Sequence, residues 1–153
     1  MRLWRITTRK WALDTACEGA RLHGGRWNPI GHGALYAGTT IEICALEKFV
    51  HLGMVPHPPL VLVAVDVPDD AALYFQPDLK DLPAAWSDLP VSAQAQAFGR
   101  TWLDAARELV LLVPSAIIPE TTNAILNPAH PAYKQVRLAI LRDFSFDARM
   151  FKV

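Results

Sequence analysis

Hydrophobic positions in this chain fall into short apolar runs, whereas helical spacing is confined to two stretches. Runs of four to eight residues rich in β-branched and other apolar side chains are typical of buried strands. Such runs predict strands at residues 3–6, 34–37, 60–65, 108–113, 123–128 and 137–146. The run at 60–65 is apolar on both faces, which predicts a central strand flanked on both sides.

The stretch from Thr39 to about Leu52 is predicted to be a helix. Thr39 is followed three residues later by Glu42, which is the pattern of a capping box. Gly53 and then Pro56 are expected to end the helix.

This helix is expected to be mostly buried, with a narrow polar stripe. Glu47 and His51 are four residues apart, so they lie one above the other on that stripe. Another face carries the apolar residues Ile41, Ala45, Phe49 and Leu52. A second helix is predicted over residues 92–107, where apolar residues again recur at helical spacing.

The remaining segments predict connections. Residues 66–90 are rich in proline and aspartate and are expected to form a long acidic loop, with one short turn around 84–86. Long loops often act as lids or partner surfaces, although a solvated loop is the simpler interpretation of most of these carboxylates. Residues 7–20 favour a helical turn or irregular loop, and residues 129–135 a turn or short helix. Because strands outnumber helices and do not alternate strictly with them, we expect one α+β domain over residues 1–153.

Composition narrows the function. The 15 basic and 15 acidic residues cancel, and no basic stripe indicates direct nucleic-acid binding. The N-terminus does not resemble a signal peptide and no apolar run is long enough to span a membrane, so we expect a soluble, cytoplasmic protein without membrane contact. Cys17 and Cys44 have neither metal-ligand nor disulfide-framework spacing, which suits a reducing compartment.

The stretch at residues 22–29, Leu-His-Gly-Gly-Arg-Trp-Asn-Pro, is the best candidate for a binding loop. Its glycines permit sharp bends and close approach to a ligand, and Arg26 offers a planar set of donors for a phosphate or carboxylate. Phosphate-binding P-loop, serine-hydrolase and zinc-protease motifs are missing from the sequence. The loop therefore predicts an anionic small-molecule ligand of undefined identity.

A small set of polar residues spread along the chain could complete such a site. Each also has a structural explanation: an arginine packed on its neighbouring tryptophan, a core tyrosine with its hydroxyl at the rim, a Glu–His pair on a solvated stripe, and a serine and an asparagine in turns. The candidates are Arg26, Tyr36, Glu47, His51, Ser115 and Asn123.

Several ordered blocks together resemble the RES domain family. These blocks are residues 24–29, 35–37, 45–51, 113–119 and 123–131. The family takes its name from an arginine, a glutamate and a serine, which match Arg26, Glu47 and Ser115 here. The resemblance covers nearly the whole chain, so it is more specific than any single motif.

The resemblance implies a fold similar to ADP-ribosyltransferases, with a central split β-sheet and flanking helices. It also implies a toxin of a bacterial toxin–antitoxin pair that consumes NAD by hydrolysis or phosphorolysis, with NAD as substrate and no metal. Some members instead transfer ADP-ribose to a protein. The implied partner is an antitoxin with an Xre-type helix-turn-helix domain, which covers the active site, binds the operon's DNA and allows an oligomer to form through the complex.

Under this resemblance, Glu47 would stabilise positive charge developing on the ribose as nicotinamide leaves, as in glycoside cleavage. His51 would steady Glu47. The competing classes are a protein-directed ADP-ribosyltransferase and a module that binds a nucleotide without turning it over.

Arg26, Ser115 and Tyr36 are expected to be catalytic residues together with Glu47, through their contacts with the substrate. Arg26, Tyr36, His51 and Asn123 are expected to bind NAD. Arg26 would hold the pyrophosphate through charge-assisted hydrogen bonds. Tyr36 would stack on the nicotinamide or line its pocket. Ser115 and Asn123 would orient the ribose or the carboxamide.

Overall fold

Seven strands and three α-helices make up the computed structural model, which describes residues 1–53 and 57–151. The strands are β1 (Arg2–Thr8), β2 (Leu35–Gly38), β3 (Leu60–Asp66), β4 (Tyr74–Phe75), β5 (Val110–Pro114), β6 (Thr122–Leu126) and β7 (Arg137–Phe144). The helices are α1 (Glu18–His23), α2 (Ile41–Leu52) and α3 (Ala93–Ala105). Short 3-10 helices occupy Arg9–Trp11, Ala71–Leu73, Leu79–Asp81, Pro131–Gln135 and Ala148–Phe151.

The strands form one mixed sheet in the order β4-β5-β6-β2-β1-β3-β7. Neighbouring strands are antiparallel except β4 and β5, which are parallel. Only the pair Trp4 and Gly38 joins β1 to β2, whereas β1 and β3 pair along their whole length. The sheet is therefore nearly divided into two halves, β4-β5-β6-β2 and β1-β3-β7. The mixed sheet with few helices confirms the α+β prediction.

Strand β3 confirms the expectation of a buried central strand, because its residues from Leu60 to Val65 are buried and it is paired with both β1 and β7. Its alternate residues contribute to different cores. Val61, Val63 and Val65 belong to the largest apolar cluster, while Leu60 and Leu62 pack with α2.

Both longer helices pack against the sheet through their apolar residues. From α2, Ile43 and Cys44 join Ile6 of β1 in one cluster. The corresponding cluster at α3 contains Ala95, Trp102, Leu103 and Trp27 together with β5 and β6 side chains. The binding loop and α3 therefore share one core, and α2 packs over β1 and β3 of the other half of the sheet and also contacts Gly38 of β2.

The predicted helix at 39–52 is confirmed, but its predicted cap is wrong. Thr40 is the N-cap residue, and its hydroxyl accepts a hydrogen bond from the Ile43 N–H at 3.3 Å. Thr39 still follows the path of β2, and its hydroxyl donates to the Thr122 carbonyl at 3.0 Å, so it is not available as a cap. Gly53 ends the helix with a positive φ of 63°, where glycine is favoured. The expected stop at Pro56 lies outside the described residues.

The other predicted elements are found with shifted bounds. The helix predicted at 92–107 is α3, capped by the Ser92 hydroxyl, which accepts from the Ala95 N–H at 3.1 Å. The acidic connection is mostly irregular, as expected, but it also contains β4. Residues 7–20, where a helical turn or an irregular loop was expected, contain the 3-10 helix Arg9–Trp11 and the start of α1. No described helix is long and apolar enough to cross a membrane.

Candidate active site

Glu47 projects from α2 towards the ends of two strands. One of its carboxylate oxygens, Oε1, accepts hydrogen bonds from Ser115 Oγ at 2.8 Å and from Asn123 Nδ2 at 2.5 Å. Ser115 directly follows β5, and Asn123 lies in the adjacent β6, opposite Val113 in the strand register. Among the described residues, the second oxygen, Oε2, has no hydrogen-bond partner. The carboxylate is thus fixed through one oxygen while the other is free.

Ser115 is fully buried, and its own environment orients its hydroxyl. A serine hydroxyl has one O–H donor and two acceptor positions. Ser115 Oγ accepts from the backbone N–H groups of Ile117 at 3.0 Å and Ile118 at 3.4 Å. Because the turn fills the acceptor positions, the single donor is directed to Glu47. Ser115 therefore acts on the carboxylate in this arrangement.

Arg26 is held by the acidic connection. Its Nη1 donates to the carbonyl oxygens of Trp86 at 2.8 Å and Asp88 at 3.0 Å. The rings of Trp27 and Trp86 also stack, with centroids 6.4 Å apart. Within the described residues, Nε and Nη2 of Arg26 make no hydrogen bond and the guanidinium has no carboxylate partner. Nε and Nη2 form one edge of the guanidinium fork, which is suited to bidentate binding of an oxyanion.

Tyr36 supports the loop from below. Its hydroxyl donates to Asn28 Oδ1 at 2.7 Å and accepts from the Trp27 N–H at 3.0 Å. Burial raises the pKa of Tyr36, so the phenol stays neutral and able to donate. A Cβ on Gly25 would lie 2.6 Å from this hydroxyl, so the second glycine of the loop is needed for this close approach.

The structure does not bring His51 to Glu47. His51 is exposed in the last turn of α2 and, within the described residues, makes no hydrogen bond or ion pair with Glu47. The spacing of four residues places the two side chains on one stripe, but Ser115 and Asn123 are the groups that fix the carboxylate. The structure therefore brings together two members of the family motif, Glu47 and Ser115. Asn123 also contacts Glu47.

Two further cations were missed by reasoning from the sequence. Arg5 of β1 is half-buried and has no hydrogen-bond or ion-pair partner within the described residues. Burial lowers the pKa of Arg5, and burial together with the charge of Arg5 lowers the pKa of Lys48, the residue after Glu47. The available signal was a lone arginine inside the apolar strand run at 3–6. Arg5 directly follows Trp4, whose pairing with Gly38 joins the two halves of the sheet, and the charge of Arg5 acts on Lys48.

No group of three or more His, Cys, Asp or Glu side chains in the part of the chain that the structure describes is arranged to hold a metal ion.

The fold has a counterpart among known structures. A chain of the crystal structure of the M. tuberculosis MbcT–MbcA toxin–antitoxin complex superposes with a TM-score of 0.69 and 20% identity, covering 98% of this chain and 86% of that chain. This likeness shows a shared fold.

Similarity in sequence defines the family. The RES domain model matches residues 2–147, and the chain belongs to the RES domain family. A relative named "Prs ADP-ribosylating toxin", from Sphingobium sp. (strain YBL2), is 36% identical over 154 residues, covering 97% of this chain and 96% of the relative. A relative named "Toxin Res", from Yersinia enterocolitica, is 32% identical over 153 residues, covering 98% and 99%. The resemblance found in the sequence is confirmed.

Proposed function

We propose that this protein is the toxin of a bacterial toxin–antitoxin pair and that it depletes NAD by cleaving the bond between nicotinamide and ribose. The observation that carries the proposal is the Glu47 carboxylate, which Ser115 and Asn123 hold by one oxygen while the other has no partner among the described residues. Membership of the RES family and relatives named Toxin Res support the biological role.

Glu47 would act on the developing positive charge of the ribose. Nicotinamide leaves as a neutral molecule because its pyridinium nitrogen takes the bonding electrons. The electron-poor ribose carbon then needs a nearby negative charge, as the corresponding carbon does in glycoside cleavage. Hydrogen bonds from two donors to Oε1 hold the carboxylate in one orientation before the substrate arrives, which reduces the reorganisation needed in the transition state.

The pyrophosphate of NAD would bind to cations that lack a carboxylate partner within the described residues. Arg26 presents its Nε and Nη2 edge, and Arg5 and Lys48 add positive charge near the divide in the sheet. Burial makes such charges costly unless an anion accompanies them. Tyr36 would line the nicotinamide pocket with its half-buried ring, and His51, exposed in the last turn of α2, would contact NAD. This route uses no metal.

The partner in this proposal is an Xre-type helix-turn-helix antitoxin in the cytoplasm. The antitoxin would cover the active site and would itself contact the DNA. Support comes from the structural neighbour, which was crystallised as a toxin–antitoxin complex. An assembly larger than one toxin with one antitoxin would form through antitoxin contacts.

The second candidate is transfer of ADP-ribose to a protein. It is favoured by the relative named "Prs ADP-ribosylating toxin", which is 36% identical to this chain. The two functions share the first step, loss of nicotinamide, and differ in the group that attacks the ribose. Water or phosphate would give NAD depletion, and a protein side chain would give a labelled protein.

Incubation of the purified protein with NAD tests the proposal. We expect nicotinamide release without added protein, and the Glu47→Gln variant should lose about 10²–10³-fold in rate because it keeps the shape but removes the charge. Glu42→Gln, at an exposed position on the same helix, is the matched control and should keep full activity.

The outcome separates the alternatives. Stimulation by phosphate with an ADP-ribose phosphate product indicates phosphorolysis rather than hydrolysis. Labelling of a lysate protein by radioactive NAD, together with little nicotinamide release when lysate is left out, would favour transfer. Absence of both release and labelling would favour a binding module and overturn the proposal.

A further inference from the structure

Several turns of helix α3 pack against the binding loop. Gln96 contacts the start of the loop, and Gly99 lies against Trp27 so closely that a Cβ there would be 1.9 Å from the Trp27 carbonyl oxygen. Further along α3, Asp104 Oδ1 lies 3.2 Å from His32 Nε2. The loop is therefore seated on a helix that carries none of the candidate site residues.

Gln96 bridges the two ends of the turn that presents Arg26. The N–H of Gly25 donates to the carbonyl of Asn28 at 2.9 Å, which closes a tight turn with Arg26 and Trp27 at its tip. Gln96 Nε2 donates to the Gly25 carbonyl at 3.0 Å and lies 3.5 Å from the Asn28 carbonyl. One side-chain amide thus links both ends of the turn to α3.

The contact of Gln96 with the turn requires an uncharged side chain that carries an N–H donor. Both acceptors are backbone carbonyls, and the amide of half-buried Gln96 satisfies them with its N–H groups. Leucine would leave the carbonyls without this donor, and glutamate would set a carboxylate against them. Tyr36 and Asn28 support the turn from within the loop and β2. The attachment to α3 consists of the Gln96 hydrogen bonds and the packing of Trp27 against Phe98 and Gly99.

We infer that Gln96 is a positioning residue, which sets the Arg26 guanidinium at the correct place for the anionic part of the substrate. The inference rests on the proposed function, since it takes the pyrophosphate of NAD as that anion. Gln96 does not touch the reacting atoms in this assignment. Its loss should therefore weaken substrate binding and leave the chemical step at Glu47 unchanged.

Steady-state kinetics of Gln96→Leu and Gln96→Glu test the inference. We expect KM for NAD to rise about 3- to 10-fold, the equivalent of one lost hydrogen bond, with kcat changed by less than about twofold. Gln94→Leu is the matched control, because Gln94 is an exposed glutamine on the same helix, and its KM should be that of the unmodified protein. ADP carries the pyrophosphate but lacks the nicotinamide–ribose bond. Its affinity, measured by calorimetry, should weaken by the same factor.

The two hypotheses fail in different ways. An unmodified protein that releases no nicotinamide contradicts the proposed function, and ADP calorimetry then still tests Gln96. A folded Gln96→Leu variant with unchanged KM and unchanged ADP affinity would overturn the inference. A variant in which kcat falls by the same factor as kcat/KM, with a lowered melting temperature, would also overturn the inference. That result indicates a purely structural role for Gln96.

Discussion

At the scale of single residues, the arrangement around Glu47 depends on two donors that share one acceptor. Ser115 and Asn123 both donate to Oε1; Ser115 directly follows β5 and Asn123 lies in β6, 68 and 76 residues away from Glu47 in the chain. Losing either donor leaves the other in place, so the carboxylate is loosened rather than released. Because the two donors act on the same atom, their effects on catalysis should not be independent.

Asn123→Leu should lower kcat for NAD cleavage about tenfold with little change in stability, because the side chain keeps its approximate size but cannot donate. Ser115→Ala should lower kcat similarly and also reduce the free energy of unfolding by about 1–3 kcal/mol. The extra cost arises because the N–H groups of Ile117 and Ile118 lose their acceptor in a buried turn. Steady-state kinetics and urea denaturation measure these effects. A double variant whose loss equals the product of the single losses would contradict the shared-oxygen arrangement.

The candidate residues of this site could be named from their residue types, but each had a structural explanation as well. The family blocks, which contain Glu47, Ser115 and Asn123, made the functional interpretation of these residues more specific. The pairing of Glu47 with His51 was expected from helical spacing, but spacing within one helix cannot show which distant strand end supplies a closer donor. Arg5 was missed because a single cation in a strand is usually a surface residue, and its burial depends on segments far away in the sequence.

At the scale of the element, α2 sets the position of Glu47, so the start of this helix matters for the site. The Thr40 hydroxyl accepts from the Ile43 N–H, which satisfies one of the N–H groups that a helix start leaves without a partner. The pattern in the sequence suggested Thr39 and Glu42 instead. Those residues fit the spacing of a capping box, but Thr39 is committed to the Thr122 carbonyl, and Glu42 is exposed.

Thr40→Ala should reduce the free energy of unfolding by about 1 kcal/mol, the usual cost of losing an N-cap. Glu42→Ala should cost no more than about 0.5 kcal/mol, as for an exposed charge near a helix N-terminus. Denaturant titration of both variants measures the difference. A larger loss for Glu42→Ala than for Thr40→Ala would indicate that the capping box forms after all.

Element positions were predicted well where the apolar pattern was long and regular, as in α2, α3 and β3. Strand β4 was not predicted because it is two residues long and exists through its parallel pairing with β5. The order of the strands could not be predicted either. No local pattern shows that β6 pairs with β2, because the two strands are far apart in the sequence.

At the scale of the whole molecule, the junction between the halves of the sheet is narrow, and α2 lies across it. Trp4 and Gly38 form the only pair between β1 and β2. Cys44 of α2 donates its thiol hydrogen to the Trp4 carbonyl, with Sγ 3.0 Å from the oxygen. Burial raises the pKa of Cys44 to about 12, so this thiol remains protonated at neutral pH and can serve as the donor. The helix that carries Glu47 is thereby tied to the junction.

Gly38 permits this close packing, and its substitution tests whether the junction positions the site. A Cβ on Gly38 would lie 2.7 Å from Cys44 Sγ and 2.7 Å from Ile43 Cγ2, so these side chains of α2 would have to shift, and we expect the helix to shift with them. Gly38→Ala should therefore reduce the free energy of unfolding by about 1–3 kcal/mol, the usual cost of overpacking a core. It should also lower kcat, because Glu47 moves with the helix and away from its two donors.

Gly19→Ala is the matched control, since the nearest atom to its Cβ would be 4.0 Å away and alanine favours the helix at α1. It should leave activity unchanged and stability equal or slightly higher. Cys44→Ala in the Gly38→Ala background removes one of the two clashing atoms and should recover part of the lost activity. A Gly38→Ala protein with normal kcat, despite reduced stability, would show that Glu47 is held by Ser115 and Asn123 independently of the junction.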